Sequence, residues 1–511
     1  MGAAARTKAV MLALAPALAQ LPADAVTRPG SESHGGFSRL DQSTQQATVE
    51  STYAISVALG EQLTGHLGEL MGTCATDGTS ANDAACLDAL VDRLGPLALR
   101  HALSAEDRAF FVATAGATPV DPAAVADVLA VMTASPGFLY QLESGAQEVS
   151  PGVWALDAYE LAARLAYHFW QGPPDAELLA SAASGALLEE EAYRAQVQRL
   201  LEDPRAEPGL DEFVRQWLRL DSLGSLTSRV GTPLYDAFAG ANRPTDGLRE
   251  AMFDDVLRAA RWNLREGASL DDFLLDSRQF TTSAELAAIY EAPAWDGVSA
   301  PQALPPVRAG LLTRAALLAN DSANTRPIMK GLRIRNAVLC DEIPPPPPSV
   351  MVTTPELSSE STTRQVVANL TEQRGTSCAG CHSLWLNPMG FSSENFDALG
   401  RARTHQQLFD LTGAPTVALP VDTSAVARIN SDDDRMFADL REVSSRIAES
   451  RRFDSCFARQ YFRYTFRRPE VLTGDGCSLR ALDDAARAGS LFDALAAPAF
   501  LPSFKTRRLN D

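Results

Sequence analysis

Apolar residues recur at helical intervals through most of the chain, and this pattern limits the fold more than any other feature. Leu161, Leu165 and Phe169 lie four residues apart in a segment, 156–170, that Gly172-Pro173 ends. Similar patterns, bounded by Gly and Pro, predict further helices at 175–185, 189–201, 210–220, 248–264, 270–275 and 362–373. No window shows sustained alternation of apolar and polar residues, and Asn-Gly hairpin signals are absent. The sequence therefore predicts an all-α fold.

The length of 511 residues allows several domains, each with its own core. The clearest boundary is Pro344–Pro348, because five prolines cannot continue a helix and favour an extended segment. We interpret this run as a rigid spacer rather than as a ligand for a proline-binding domain. A net charge of −19 disfavours nonspecific nucleic-acid binding. No stretch approaches the roughly 18 apolar residues of a membrane span.

The segment Cys378-Ala379-Gly380-Cys381-His382 indicates the chemistry of the chain. Two thiols at this spacing can each add to one vinyl group of the same porphyrin, and the histidine that follows supplies the proximal iron ligand. The motif therefore predicts one covalent haem c held by Cys378, Cys381 and His382. Three alternatives remain: a redox dithiol, a plain disulfide, or half of a zinc site. The zinc alternative lacks a second Cys-x-x-Cys or His-x-x-x-His pair.

The remaining cysteines indicate an oxidising compartment. Cys74 and Cys86 lie twelve residues apart, and Cys456 and Cys477 lie twenty-one apart, so each pair can close a local disulfide. Cys340 is then left over. Disulfides and covalent haem both occur mainly outside the cytoplasm, so we expect a periplasmic or otherwise extracytoplasmic protein. The alternative is a set of unrelated buried thiols.

The N-terminus allows two interpretations. Arg6 and Lys8 precede a short apolar run, residues 9–19, that ends in small residues and fits a weak signal peptide. Because the run is Ala-rich and contains Pro16, it fits the start of a domain helix equally well.

Segments spread over nearly the whole chain resemble one known family. They include Gly35-Gly36-Phe37, Ser135–Tyr140, Tyr159–Leu165, Cys378–Arg401 and Cys456–Gly476. In these segments the chain resembles the multidomain cytochrome c-like proteins of unknown function found in planctomycetes and myxobacteria. The family usually has Asp-Pro where Asn387-Pro388 stands here, and often Leu-Gly-Arg at 466–468. Neither difference removes a haem attachment residue.

The resemblance implies a multidomain helical protein with a small cytochrome c-like domain towards the C-terminus. Five divisions are expected. They are an N-terminal family domain (1–70), a small helical domain with the Cys74–Cys86 pair (71–150), a central helical domain (151–300), the cytochrome c-like domain (301–410) and a C-terminal helical domain with the Cys456–Cys477 pair (430–511). The match begins close to Met1, so residues 9–19 are either a signal peptide or the remnant of a helix from a longer chain whose export signal lies upstream.

The sixth iron ligand is open in the sequence. Met436, 54 residues after His382, is at a comfortable distance for a distal loop, although a methionine beside Phe437 and Leu440 can also be an ordinary core residue. Met389 follows within seven residues, a span of about 23 Å when extended, so its path around the porphyrin would be taut. His405 is a further candidate, and a distal face without a protein ligand is another alternative.

Two other roles are expected near the motif. In many cytochromes c a proline carbonyl shortly after the motif accepts the Nδ1 hydrogen of the proximal histidine, and Pro388 is the candidate here. Arg401 and Arg403 can pair with haem propionates, although solvation at the surface explains two arginines as well.

Three functions are compatible with these residues. The first is an extracytoplasmic electron-transfer protein, within an oxidoreductase system of unknown substrate, that exchanges electrons with a partner protein or a small molecule. The second is a peroxidase-like haem enzyme with an open iron position. The third is a secreted binding or scaffold protein whose cysteine pair is structural. Motifs of nucleotide-dependent enzymes and zinc proteases are absent from the sequence.

Overall fold

The computed structural model describes residue 37 and residues 46–346 and 358–508. Helices account for 59% of the chain and strands for 6%, which confirms the prediction of a mostly helical protein. The two interpretations of residues 9–19, and the part of the predicted spacer at Pro347 and Pro348, concern residues that lie outside the described ranges. Within the described part of the chain, no helix is long and apolar enough to cross a membrane.

The chain forms two compact units. Of the described residues, 46–209 and 498–508 belong to the first unit, and residue 37 with 210–346 and 358–497 belongs to the second. These limits differ from the five predicted divisions, which follow family segments and remain a prediction.

The first unit is built from helices around an aliphatic core that includes Leu59, Leu90 and Val128. Gly60 lies against the carbonyl of Ala126, so the helices that carry these two residues approach closely. The α-helices of this unit are Gln46–Leu63, Leu67–Met71, Asp83–Leu99, Ala105–Thr114, Pro122–Ala134, Pro136–Leu139, Ala158–Phe169, Ala176–Ala183, Glu190–Glu202 and Pro502–Lys505. Its 3-10 turns are Thr64–His66, Thr73–Ala75, Ser80–Asn82, Ala186–Leu188, Pro204–Ala206 and most of Ala497–Phe500.

A small antiparallel sheet in the first unit was not expected from the sequence. Strand Val153–Ala155 lies in the middle, between Gln147–Ser150 and Thr506–Arg508. Its strands have three or four residues, too few to show an alternating pattern.

The second unit contains the motif. Its α-helices are most of Glu207–Trp217, then Pro233–Ala239, Leu248–Arg265, Leu270–Leu275, Ala284–Tyr290, Ala315–Leu318, Pro327–Arg333, Thr363–Thr371, Ser377–Cys381, Asn387–Phe391, Leu440–Ser450, Arg452–Phe466, Leu472–Ala488 and Leu491–Ala496. Two segments, Ile334–Val338 and His382–Leu386, are π-helical. The 3-10 turns are Leu220–Ser222, Gly240–Asn242 and Leu311–Thr313. Strands His405–Phe409 and Pro415–Pro420 form an antiparallel hairpin.

Several helix starts follow from local sequence. Ser269 and Asp272 form a reciprocal capping box at helix Leu270–Leu275, and Thr362 and Gln365 form another at Thr363–Thr371. Asp175 accepts a hydrogen bond from the backbone nitrogen of Leu178 and caps Ala176–Ala183. Each helix begins within one residue of its predicted start.

The disulfides partly agree with the sequence predictions. Cys74 is bonded to Cys86, as expected. The prediction of a Cys456–Cys477 bond was wrong, because Cys456 is bonded to Cys340 and Cys477 is free and exposed. Cys456 lies on the buried side of helix Arg452–Phe466, against the end of the π-helical segment that precedes Cys340, whereas Cys477 points outward from Leu472–Ala488. The bond therefore joins the predicted cytochrome c-like segment to the C-terminal segment.

Candidate functional site

The two motif cysteines lie on a single helical turn. Thr376 caps helix Ser377–Cys381 by accepting a hydrogen bond from the backbone nitrogen of Ala379. Residues three apart share one face of a helix, with Cβ atoms about 5–6 Å apart. Cys378 is half-buried, Cys381 is exposed, and both thiols are free. The plain disulfide considered from the sequence is therefore not formed, and both sulfurs are accessible from one side.

His382 follows the cysteines directly and begins the π-helical turn His382–Leu386. Its ring is half-buried, and its Nδ1 lies 3.1 Å from Oδ1 of Asn387. This contact uses one ring nitrogen and leaves Nε2 for another ligand. Asn387 is fully buried, so it provides a fixed partner rather than a mobile surface group.

The predicted role of Pro388 was wrong. The chain continues from the π-helical turn directly into helix Asn387–Phe391. The carbonyl of Pro388 therefore accepts the backbone hydrogen of Ser392, at 3.4 Å, and the side chain of Asn387 contacts His382 in its place. The sequence did not identify Asn387 as the partner of His382.

A second helix supports the motif from behind. Helix Pro327–Arg333 packs against the π-helical turn and helix Asn387–Phe391 with almost no space between the backbones. Gly331 lies against the carbonyl of Leu386, and Gly390 against the carbonyl of Pro327. A side chain at either position would overlap backbone atoms, so the glycines permit this close packing.

Arg335 connects the motif to a neighbouring loop. Its buried guanidinium lies over the ring of Trp385, 5.0 Å from the centroid, and donates to the carbonyl of Trp385. The same group donates to the carbonyls of Ala427 and Arg428 and pairs with Asp341 at 3.0 Å. Burial lowers the pKa of Arg335, and Asp341 opposes this effect. Arg335 therefore holds the loop 421–439 beside the motif.

The candidate sixth ligands differ in exposure. Met436 lies in the loop 421–439, and its side chain is 67% exposed, so it is not the ordinary core methionine that the sequence also allowed. Met389 is fully buried in helix Asn387–Phe391. His405 is exposed at the start of strand His405–Phe409.

Arg401 and Arg403 form internal contacts, so they are not simply solvated at the surface, the alternative that the sequence also allowed. Arg401 pairs with Asp397 at 2.6 Å and donates to backbone carbonyls of helix Pro233–Ala239. Arg403 pairs with Glu394 at 3.1 Å, and that carboxylate is buried. Both guanidinium groups thus have protein partners, and their pairing with haem propionates stays a prediction.

The donor set fits a covalent haem better than a closed metal site. Two free thiols on one helical face match what a c-type haem requires, as does a histidine whose Nε2 makes no hydrogen bond to the residues that the structure describes. In the described ranges, no group of three or more His, Cys, Asp or Glu side chains could hold a metal ion.

Two family models match the chain. Residues 156–292 match PSD4, described as a protein of unknown function (DUF1592), and residues 308–406 match PSCyt3, described as a protein of unknown function (DUF1588). The second match contains the whole of the Cys-x-x-Cys-His motif. Together the matches support a planctomycete cytochrome-like domain family of unknown function. No curated protein and no solved structure matches the chain.

Proposed function

We propose that this chain is an extracytoplasmic c-type haem protein that transfers electrons, within an oxidoreductase system whose substrate is unknown. The observation that carries the proposal is the arrangement of Cys378, Cys381 and His382 on consecutive helical turns, with both thiols free and Nδ1 engaged. The cytochrome-like name of the family model that covers the motif supports it.

The motif residues would attach the haem and orient it. Each thiol, of Cys378 and of Cys381, would add across one vinyl group of the porphyrin, with the sulfur on one carbon, the thiol hydrogen on the other and no net oxidation or reduction. His382 would bind iron through Nε2 while Asn387 holds its Nδ1. When bound, haem supplies a one-electron iron couple. Leu384, which is 42% exposed in the π-helical turn, offers apolar surface beside the motif.

We favour Met436 over Met389 as the sixth ligand. Met389 is buried in helix Asn387–Phe391, against which helix Pro327–Arg333 packs, and reaching iron would require it to leave that core. Met436 is exposed on the loop that Arg335 anchors next to Trp385. A methionine ligand raises the reduction potential, which suits an electron carrier. His405 is the alternative ligand.

The two disulfides support an oxidising location. Cys74–Cys86 and Cys340–Cys456 are of the kind that persists in secreted and periplasmic proteins. We therefore place the protein in the periplasm or another extracytoplasmic compartment, where it would exchange electrons with a partner protein or a small-molecule donor or acceptor.

Optical spectra of the reduced protein test this proposal. The full chain, produced with periplasmic c-type haem maturation, is expected to show a six-coordinate reduced spectrum and to bind carbon monoxide slowly. Met436→Leu should bind carbon monoxide rapidly, whereas Met329→Leu, which changes another exposed methionine, should behave like the wild type. Rapid binding by the wild type would instead favour the peroxidase-like enzyme. If the protein carried no haem, the function that remains would be that of a secreted binding or scaffold protein.

A further inference from the structure

Asn387 forms three side-chain contacts although it is completely buried. Its Nδ2 donates to Oγ1 of Thr371 at 2.9 Å and to Oε1 of Glu372 at 2.8 Å. Its Oδ1 lies 3.1 Å from Nδ1 of His382. The two amide hydrogens and the amide oxygen are thus all engaged.

The partners of Nδ2 determine which way the amide faces. Thr371 gives its own hydroxyl hydrogen to the carbonyl of Val367 at 2.7 Å, so its oxygen accepts from Asn387. An ionised Glu372 carboxylate can only accept. Both acceptors require the NH2 group of Asn387, and Oδ1 must therefore face His382. An amide oxygen accepts hydrogen bonds and donates none, so the hydrogen of this contact belongs to Nδ1 of His382.

We infer that Asn387, held by Thr371 and Glu372, is a positioning residue that fixes His382 in the Nδ1–H tautomer and tunes the reduction potential of the haem. This inference deepens the proposed function and rests on it. The tautomer presents the Nε2 lone pair before any haem is attached, so the ligand needs no rearrangement on binding. The neutral amide polarises the imidazole less than a carboxylate would. The imidazole therefore lowers the reduction potential of the iron by less than it would beside a carboxylate.

The tautomer can be measured without haem. The full chain, labelled with 15N-histidine and produced without haem maturation, contains only 6 histidines, and a His382→Gln variant assigns the signal. We expect the wild type to carry hydrogen on Nδ1 of neutral His382. Asn387→Leu, of similar size, should lose this preference and shift towards the Nε2–H form. A wild-type His382 that is mainly Nε2–H would overturn the inference.

The midpoint reduction potential of the haem shows whether Asn387 tunes the iron or has only a structural role. In the haem-loaded full chain, Asn387→Asp should lower the midpoint potential, because a carboxylate increases imidazolate character and favours Fe(III). Glu372→Gln is combined with it, so that the new carboxylate faces an amide instead of the Glu372 carboxylate. Asn387→Leu should raise it, because the hydrogen bond is lost. A tenfold change in the ratio of oxidised to reduced protein corresponds to about 59 mV for one electron, and we expect each variant to shift by about this amount.

Gln373→Glu is the matched control. Gln373 is exposed and contacts the carbonyl of Asn369 rather than His382, so the variant adds the same negative charge nearby without the contact. Its potential should stay close to the wild-type value. Shifts of both Asn387 variants in one direction would indicate general disruption and contradict the inference. If no variant or wild-type chain carries haem, the proposed function fails while the tautomer measurement still tests Asn387.

Discussion

Gly331 lies directly against the backbone carbonyl of Leu386, the last residue of the π-helical turn that begins at His382. The helix behind the motif can approach this closely only because position 331 has no side chain. We predict that Gly331→Ala lowers the free energy of unfolding by about 2 kcal/mol or more, since overlap with a carbonyl outweighs the gain in helix propensity. Urea denaturation of the wild type and the variant measures the difference.

Gly476→Ala is the control for this prediction. Gly476 also lies within a helix, Leu472–Ala488, but a methyl group there would meet no atom within 4 Å. Helix propensity then acts alone, and the variant should be more stable by about 0.5 to 1 kcal/mol. Equal effects of the two substitutions would show that the close packing at Gly331 is not required.

The disulfides predict a graded response to cysteine removal. Cys340 and Cys456 are 116 residues apart and Cys74 and Cys86 are 12 apart, so chain entropy assigns about 5 and about 3 kcal/mol to the two bonds. Cys340→Ser should destabilise more than Cys74→Ser, and Cys477→Ser should have almost no effect, because Cys477 is free and exposed. Non-reducing peptide mapping with unfolding curves checks this order. A peptide that links Cys456 to Cys477 would contradict it.

Local sequence was sufficient for much of the helical fold. Asp175, Ser269 and Thr362 cap helices that begin within one residue of the predicted starts, because a cap and the first helical turn interact over only a few residues. The strand Thr506–Arg508 could not be predicted in this way, because its partner Val153–Ala155 is far away in the sequence and the strand is too short to show a pattern.

In the site, too, contacts between residues close in sequence could be predicted, and contacts between separate elements could not. Cys378, Cys381 and His382 are adjacent in sequence, and their spacing alone indicated their common role. Thr371 and Glu372 contact Asn387 only because helix Thr363–Thr371 packs beside the π-helical turn, and no spacing rule connects these residues with a histidine ligand. The Cys340–Cys456 bond was missed for a related reason, since nearness in sequence favoured Cys477.

Lys330 predicts an unusual dependence of stability on pH. Its ammonium group is buried and has no hydrogen-bond partner among the described residues, and burial lowers its pKa from 10.5 to about 8, although Glu394 opposes this effect. The unfolded chain therefore binds this proton more tightly than the folded chain does. Below about pH 8 Lys330 is charged in both states, so the free energy of unfolding is lowered by the full cost of burying the charge. The cost disappears as the pH rises from about 8 towards 10.5.

Lys330→Met removes the charge and keeps a long apolar side chain. At pH 7 the variant should be more stable than the wild type by up to about 3 kcal/mol, the equivalent of the lowered pKa. Denaturation curves at several values between pH 7 and pH 10 should show this advantage shrinking. An advantage that is independent of pH would mean that Lys330 is not buried as a charge.

Attachment of haem to the two motif cysteines is the central claim, and peptide mass spectrometry tests it most directly. The full chain is produced with c-type haem maturation, denatured, extracted with acidic acetone and digested. We predict that one haem remains bound to the peptide that contains Cys378 and Cys381, that Cys378→Ser or Cys381→Ser weakens this attachment, and that Cys477→Ser does not change it. A wild-type peptide with both thiols free, recovered from cells that mature another c-type cytochrome, would contradict the account.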